Sequence, residues 1–183
     1  RIYLYLDAGA AAVGGFTDVK EGDYFADAVL WAVEKDITTG TGASTFSPDK
    51  TCTTAEILTF LWRASGSPAP AGSNPFSDVA DGAYYADAAV WAYEEGLVSG
   101  ETFGGDVPCT RAATVTYLWK LAGQPDAGTA GFTDVPGSAD YAKAVAWAVE
   151  QEITSGTGNG AFSPDMICSR GQIVTFLYRD MAQ

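Results

Sequence analysis

The chain repeats one short unit three times, and this repetition constrains its fold more than any other feature of the sequence. The first anchor of the unit reads F-T-D-V at 16–19, F-S-D-V at 76–79 and F-T-D-V at 132–135. A unit of this length cannot bury its apolar face alone, so the three copies are expected to pack around a shared core.

The same further elements follow each anchor in the same order. In the first copy, Phe25, Ala28, Val29, Ala32 and Val33 recur at three- to four-residue spacing, which predicts an amphipathic helix. A glycine-containing turn follows, and Gly40 and Gly42 are predicted to end this first helix. A cysteine then precedes a second helix, whose apolar face in the first copy holds Ile57, Leu58, Leu61 and Trp62.

Each copy is therefore predicted to be a helix–turn–helix unit of a mostly α domain with approximate three-fold symmetry. The repeats are placed at 16–68, 76–125 and 132–183, with Pro/Gly-rich linkers at 65–75 and 122–131. Residues 1–15 stand outside the repeats as an N-terminal arm or the remnant of an upstream region. Within them, I-Y-L-Y-L is predicted to be a short strand or a packed arm.

The second helices carry recognisable N-terminal caps. Thr53 with Glu56 and Ser169 with Gln172 each have the spacing of a capping box. In the middle copy Thr110 can cap the helix, but the side chain of Ala113 cannot accept a hydrogen bond from the backbone N–H of Thr110.

Composition excludes several classes of function. The chain has no histidine, which removes the Ser-His-Asp and Cys-His arrangements. A formal net charge of −13 argues against nucleic acid or an anionic membrane surface as a partner. No apolar run approaches the ~20 residues of a membrane helix. A glycoside hydrolase remains chemically conceivable, but nothing in three equivalent copies singles out one catalytic pair of carboxylates.

Two arginines occupy an unfavourable position. Arg111 and Arg170 lie in the first turn of the second helix, where the helix dipole disfavours a cation by roughly 0.3–1 kcal/mol. The first copy, which reads C-T-T-A-E-I at 52–57, has the capping box but no arginine. The second copy, which reads C-T-R-A-A-T at 109–114, has the arginine but no capping box. The arginine is therefore not needed to start the helix, which favours anion capture assisted by the N–H groups of the helix start. Replacing either arginine by alanine is then expected to weaken binding while leaving the melting curve unchanged or slightly improved.

Glycines and aromatic residues are weaker candidates. The glycines of the turns have two compatible explanations: the turn geometry requires them, or they let the backbone approach a sugar closely. These glycines are Gly40, Gly42, Gly100, Gly156 and Gly158. Trp31, Trp91 and Trp147 are predicted to lie in the core. Trp62 and Trp119, later in the second helices, are more open to sugar stacking.

No metal or cofactor is predicted. Cys52, Cys109 and Cys168 precede the caps, where a small buried apolar side chain is favoured. A three-cysteine metal site would need the three helix starts to converge, which is not expected. The acidic turns at 21–27 and 81–87 lack the ligand spacing of a calcium loop and are interpreted as solvated surface.

The ordered motifs F-x-D-V, I-T-x-G-T-G, F-S-P-D and T-R-A-E together resemble the S-layer homology (SLH) domain over residues 16–183. The resemblance implies a pseudo-three-fold spindle with a central three-helix bundle and three helical prongs. It also implies a module at the bacterial cell surface that anchors an exported protein non-covalently to the wall. The ligand would be a peptidoglycan-linked secondary cell-wall polysaccharide, commonly pyruvylated, bound in grooves between repeats.

The resemblance assigns ligand contact to Arg111 and Arg170. The first copy departs from the motif because Thr54 replaces the arginine, and the motif's glutamate survives only as Glu56. At most two strong grooves are therefore expected. The predicted partner is the wall polysaccharide, bound by a monomeric module of a larger protein, with no nucleic acid and no membrane. An alternative is a protein-interaction or S-layer lattice module that assembles through calcium.

Overall fold

The computed structural model describes residues 12–183, so most of the proposed N-terminal arm lies outside the described residues. The described part is mostly helical, as predicted. A two-stranded antiparallel hairpin precedes six helices: β1 (Ala12–Val13), β2 (Phe16–Lys20), α1 (Ala26–Glu34), α2 (Thr54–Ala64), α3 (Ala86–Glu94), α4 (Arg111–Leu121), α5 (Ala142–Glu150) and α6 (Arg170–Met181).

The helices pair between repeats. The second helix of the first repeat, α2, packs against α3 of the second repeat, and α4 packs against α5 of the third. The last helix, α6, packs against α1 of the first repeat, so the pairing closes on itself. A further contact joins α4 to α6. Each of these helix pairs thus joins two different repeats. The three-pronged spindle implied by the resemblance stays a prediction.

A ring of backbone hydrogen bonds joins the three segments that precede the second helices. The amide of Cys52 donates to the carbonyl of Cys168 (3.0 Å), that of Cys168 to Cys109 (2.9 Å) and that of Cys109 to Cys52 (2.8 Å). The expectation that these helix starts lie apart is therefore wrong. The prediction that the cysteines are buried is confirmed, and all three are free thiols.

The thiols remain protonated because the protein removes them from water. Burial raises the pKa of Cys109 to about 12 and also raises the pKa of Cys168. Metal coordination requires a thiolate. No group of three or more Cys, Asp or Glu side chains suited to a metal ion occurs within residues 12–183.

The first helices end earlier than predicted. α1 ends at Glu34, and Asp36 takes a left-handed conformation (φ 57°) that lets Ile37 donate to the carbonyl of Ala32 (2.8 Å). This is the usual way in which a left-handed residue closes a helix end. Gly40, and with it Gly42, lies beyond this end, so the two glycines shape the following turn instead.

The caps of the second helices are confirmed. Thr53 and Ser169 each form a complete capping box, with Glu56 and Gln172 respectively. Thr110 accepts from the amide of Ala113 (3.1 Å) without a reciprocal side-chain bond. Because these bonds span three residues, the sequence alone specifies them.

The core contains the apolar faces predicted for both helices of the first repeat. Trp91 and Trp147 are also buried, as predicted, whereas Trp31 is half-buried and lies against the ring of Tyr178. Within residues 12–183, none of the helices combines the length and the hydropathy that crossing a bilayer requires.

Candidate ligand-binding grooves

Arg111 reaches from the second repeat into the third. Its Nε donates to the carbonyl of Phe162 (2.8 Å), and one terminal nitrogen donates to Oγ1 of Thr154 (3.2 Å). The guanidinium carbon lies 4.8 Å from the ring centroid of Phe162 and 5.3 Å from that of Phe176. Only 7% of the residue is exposed. The side chain is therefore fixed in orientation rather than extended into solvent.

A groove opens beside this guanidinium, and we call it the Arg111 groove. It encloses about 310 Å³ and takes its walls from all three repeats. Arg179 supplies a second cation, and Tyr24, which is 64% exposed, forms part of the rim. The lining residues are Tyr24, Arg111, Thr154, Ser155, Gly156, Gln172, Thr175, Phe176 and Arg179.

The carboxylate of Asp134 acts on the Arg111 guanidinium electrostatically but forms no ion pair with it. Among residues 12–183, no carboxylate forms an ion pair with Arg111. Burial lowers the pKa of the Arg111 guanidinium, which nevertheless stays charged because arginine is protonated throughout the working pH range. A buried charge without a direct ion-pair partner is costly, which makes this site a candidate for binding an anion.

Arg170 makes the equivalent contacts between the third repeat and the first. Its Nε donates to the carbonyl of Phe46 (2.9 Å), and its guanidinium carbon lies 4.8 Å from the Phe46 ring and 5.3 Å from that of Phe60. We call this the Arg170 groove. Unlike Arg111, Arg170 forms an ion pair, through Nη1 and Oε2 of Glu56 (2.5 Å). Arg170 is buried and Glu56 is half-buried, with 5% and 14% of the two side chains exposed.

The third interface lacks a guanidinium at this position. Thr54 donates through Oγ1 to the carbonyl of Val107 (3.0 Å) and does not extend further. We call the adjoining surface the Thr54 groove, and it includes Ala113, Trp119, Lys120 and Asp140. Asp140 here occupies the position in its repeat that Tyr24 occupies at the rim of the Arg111 groove, so the site is less suited to an anion.

The N–H groups of the helix starts are not available to a ligand. Within α4, the amide of Arg111 donates to Met166 and that of Ala112 to Pro164, both at 2.9 Å. The equivalent amides of α2 and α6 likewise donate to backbone carbonyls of the neighbouring repeat. The next amide is taken by the capping side chain. The sequence-based expectation that these N–H groups assist anion capture is therefore wrong, because the neighbouring repeat uses them.

The aspartate of each F-x-D-V anchor has a role that the sequence did not reveal. Asp134 accepts from the amides of Phe162 (2.8 Å) and Ser163 (2.9 Å), on the opposite side of the peptide that Arg111 contacts. These backbone bonds lower the pKa of Asp134. Asp18 and Asp78 make the same pairs of bonds in their own repeats. The aspartate thus positions the turn that supports the arginine.

The predicted glycines divide into two groups. A Cβ on Gly156 would lie 2.6 Å from the carbonyl of Ala161, and one on Gly40 would lie 2.5 Å from that of Thr45. Gly156 also lines the Arg111 groove, where close approach of its backbone to a sugar stays a prediction. Gly100 and Gly158 have open space at the same position, and Gly42 would approach only the hydroxyl of Thr45.

The two candidate stacking tryptophans are half-buried. The indole N–H of Trp62 donates to the carbonyl of Pro68 (2.9 Å), and that of Trp119 donates to Pro125 (2.8 Å). Both therefore hold the linker that follows their helix. Trp119 adjoins the Thr54 groove, and neither residue lines the Arg111 groove.

Sequence analysis did not assign Arg179, Gln172 or Tyr24 to a site. The recurrence of F-L-W-R, Y-L-W-K and F-L-Y-R at the ends of the second helices could have identified Arg179. Its Nη1 donates to the carbonyl of Ile153 (3.2 Å), as that of Arg63 does to Ile37 in the first repeat. Tyr24 recurs as Tyr84 in the second copy, but the sequence does not show that Tyr24 reaches a groove formed with the other two repeats.

The fold and these grooves define a class of protein: a three-repeat helical domain in which two of the three inter-repeat interfaces hold a buried arginine. The S-layer homology domain model matches residues 15–58, 75–114 and 131–174, and the chain belongs to that family.

Similar proteins carry such a segment within much longer chains. A cell surface protein of Thermoanaerobacter kivui is 30% identical over 118 residues, covering 60% of this chain and 16% of that protein. The exoglucanase XynX of Acetivibrio thermocellus is 25% identical over 174 residues, or 89% of this chain and 16% of the enzyme. An amylopullulanase of Thermoanaerobacterium thermosulfurigenes is 25% identical over 174 residues, or 89% of this chain and 9% of its own length. The chain thus spans about a sixth or less of each.

Proposed function

We propose that this chain holds a larger exported protein on the bacterial cell wall by binding an anionic wall polysaccharide in its inter-repeat grooves. Membership of the S-layer homology family supports the anchoring role. The presence of similar segments in a cell surface protein and in named glycan-related enzymes supports a module that serves different attached domains. The module itself is proposed to be monomeric and non-catalytic.

The observation that carries this proposal is the fixed guanidinium of Arg111, which forms no ion pair within residues 12–183. An arginine held by its Nε and by aromatic faces presents its remaining N–H groups as a planar fork, which matches a carboxylate. The chain as a whole carries a net charge of −13, so an anion can be captured only where cations are concentrated locally. The Arg111 groove pairs Arg111 with Arg179.

The proposed ligand is a secondary cell-wall polymer that carries pyruvyl ketals. The ketal carboxylate would bind Arg111, while sugar hydroxyls would meet the hydroxyl groups of Thr154, Ser155 and Thr175 along the groove. The exposed ring of Tyr24 offers an apolar face at the rim. Gly156 is proposed to support the turn beside Arg111, and Arg170 and Gly40 occupy the equivalent positions at the Arg170 groove.

Co-sedimentation with purified sacculi tests the proposal. The protein is expected to pellet with sacculi that retain their polymer and to stay in solution with sacculi chemically stripped of it. Arg111→Ala is expected to lose at least tenfold in affinity. Lys143→Ala is the matched control, because it removes one exposed positive charge outside the Arg111 groove. Equal sedimentation with stripped sacculi would contradict the proposal.

A further inference from the structure

We propose that the residue at the third position of each second helix, Glu56 in α2 and Gln172 in α6, decides whether its groove accepts an external carboxylate. On this proposal the Arg111 groove is open to anions, and the Arg170 groove is closed by the chain's own Glu56. The inference rests on the proposed function, since it specifies which groove binds, but it is tested below by a probe that needs no polysaccharide.

The two arginine grooves are built alike apart from this residue. Each guanidinium donates from Nε to a phenylalanine carbonyl, at 2.8 Å for Arg111 and 2.9 Å for Arg170. Each lies 4.8 Å and 5.3 Å from two phenylalanine rings. The helices that carry the differing residue, α2 and α6, each also have an arginine in their last turn. Arg63 donates to the carbonyl of Ile37, and Arg179 donates to that of Ile153. The shared framework therefore cannot distinguish the grooves.

The difference lies in what faces the guanidinium. In the Arg170 groove, the carboxylate of Glu56 accepts from Nη1 of Arg170 at 2.5 Å. In the Arg111 groove the equivalent residue is Gln172, a neutral amide whose Oε1 accepts from the amide of Ser169 (2.8 Å). Arg111 instead donates to the hydroxyl of Thr154. The guanidinium of Arg170 thus forms an ion pair with a carboxylate of the protein, whereas that of Arg111 forms none within residues 12–183.

An external carboxylate therefore meets different conditions in the two grooves. To reach Arg170 it must displace Glu56 from a buried ion pair, or remain beside it and experience the repulsion of a like charge. To reach Arg111 it displaces no charged group of the described chain. Glu56 thus holds the position that a ligand carboxylate would take.

Exchanging these two residues gives a matched pair of variants. Glu56 and Gln172 both close capping boxes, which shows that either side chain can serve the helix start. Glu56→Gln and Gln172→Glu should therefore preserve the caps while reversing the charge arrangement in the grooves. Gln172→Glu removes no partner from any buried charge, so it remains interpretable even if Glu56→Gln fails to fold.

The test is titration with sodium acetate, followed by the side-chain Nε–Hε resonances of Arg111 and Arg170 in NMR spectra. Sodium chloride at equal ionic strength is the control. In the unaltered protein, Arg111 is expected to shift saturably and Arg170 to remain unchanged. Glu56→Gln is expected to make Arg170 respond, and Gln172→Glu to weaken the Arg111 response at least tenfold. The proposal is overturned if both arginines respond equally before substitution, or if Gln172→Glu leaves the Arg111 midpoint unchanged.

Sedimentation with polymer-bearing sacculi separates this inference from the proposed function. If the unaltered protein fails to sediment with polymer-bearing sacculi but shows the expected acetate pattern, polymer anchoring is rejected and the groove assignment is supported. If it sediments and both arginines respond equally to acetate, polymer anchoring is supported and the groove assignment is rejected. With both proposals correct, Gln172→Glu weakens sedimentation, and Glu56→Gln does not weaken it.

Discussion

Arg111 has a structural role in addition to the ligand contact proposed for it. The guanidinium faces the candidate groove, yet the same group binds the carbonyl of Phe162 and stacks on two aromatic rings of the neighbouring repeat. A buried arginine side chain contributes packing through its aliphatic stem as well as charge. The arginine therefore links the second repeat to the third, whether or not a ligand is bound.

We predict that Arg111→Ala lowers the free energy of unfolding by about 1–3 kcal/mol, because it removes a charged hydrogen bond and buried packing. This differs from the sequence-based expectation of an unchanged or slightly improved melting curve, which considered only the start of the helix. Urea denaturation measures the effect. Arg179→Ala is the comparison, because Arg179 is exposed and its replacement should lower the free energy of unfolding by less. An Arg111→Ala curve that coincides with that of the unaltered protein would restore the earlier expectation.

Asp180, near the end of α6, gives a separate prediction about pH. Burial raises the pKa of Asp180 to about 6, above its ordinary value of 3.8. The folded state therefore binds this proton more tightly than the unfolded state, and this group adds stability as pH falls from about 7 to about 4. Asp180→Asn should raise the free energy of unfolding at pH 7 by about 1–2 kcal/mol, after allowance for solvent screening. Urea midpoints at pH 7 and pH 4 measure it, and a larger gain at pH 4 would refute the assignment.

At the scale of single elements, the turn after each first helix shows why glycine recurs there. Gly156 has φ 92° and Gly100 has φ 99°, so both take a conformation that favours glycine. Only Gly156 is also enclosed, by the carbonyl of Ala161 and the ring of Phe132. Backbone conformation and close packing can therefore be separated experimentally.

We predict that Gly156→Ala lowers the free energy of unfolding by about 2–4 kcal/mol and Gly100→Ala by about 1 kcal/mol. Both substitutions strain the backbone, but only the first forces a Cβ against a carbonyl oxygen. Thermal or urea unfolding of the two variants checks the difference. Equal losses would mean that the conformational cost alone determines the requirement for glycine.

Local elements could be predicted from the sequence because their determinants are local. The caps at Thr53, Thr110 and Ser169 depend on residues three positions apart, and each was identified. The end of α1 was misplaced because Asp36, which is not a glycine, takes the left-handed position. Asparagine and aspartate tolerate this conformation better than most residues, but a glycine nearby gave a stronger signal.

At the scale of the whole molecule, the site could be predicted only in part. Arg111 and Arg170 were identified because they recur in aligned copies. Their partners could not be found, because Arg111 binds Phe162, 51 residues away, and Arg170 binds Phe46, 124 residues away. Alignment of copies shows which positions are equivalent, but it does not show that each copy completes its groove with residues of the next. The ion pair between Arg170 and Glu56 was missed for the same reason.

The cyclic pairing of helices predicts a single cooperative unfolding transition. Leu61, Leu118 and Leu177 are equivalent, fully buried residues in the three second helices. Replacing any one by alanine should cost about 2–5 kcal/mol and shift the whole transition, because each helix pair joins two repeats. Tryptophan fluorescence and far-UV circular dichroism should give coincident midpoints for all three variants. Separate transitions for different repeats would show that the units unfold independently.

The hydrogen-bond ring through Cys52, Cys109 and Cys168 also limits how such a domain can diversify. An open stack of repeats can gain or lose a unit at either end, because each unit contacts only its neighbours. In this ring every member both donates to one copy and accepts from another, so there is no end at which to add a fourth. The copy number is set at three by closure. New binding preferences must then arise by substitution within existing grooves, as the contrast between Glu56 and Gln172 illustrates, rather than by lengthening the array.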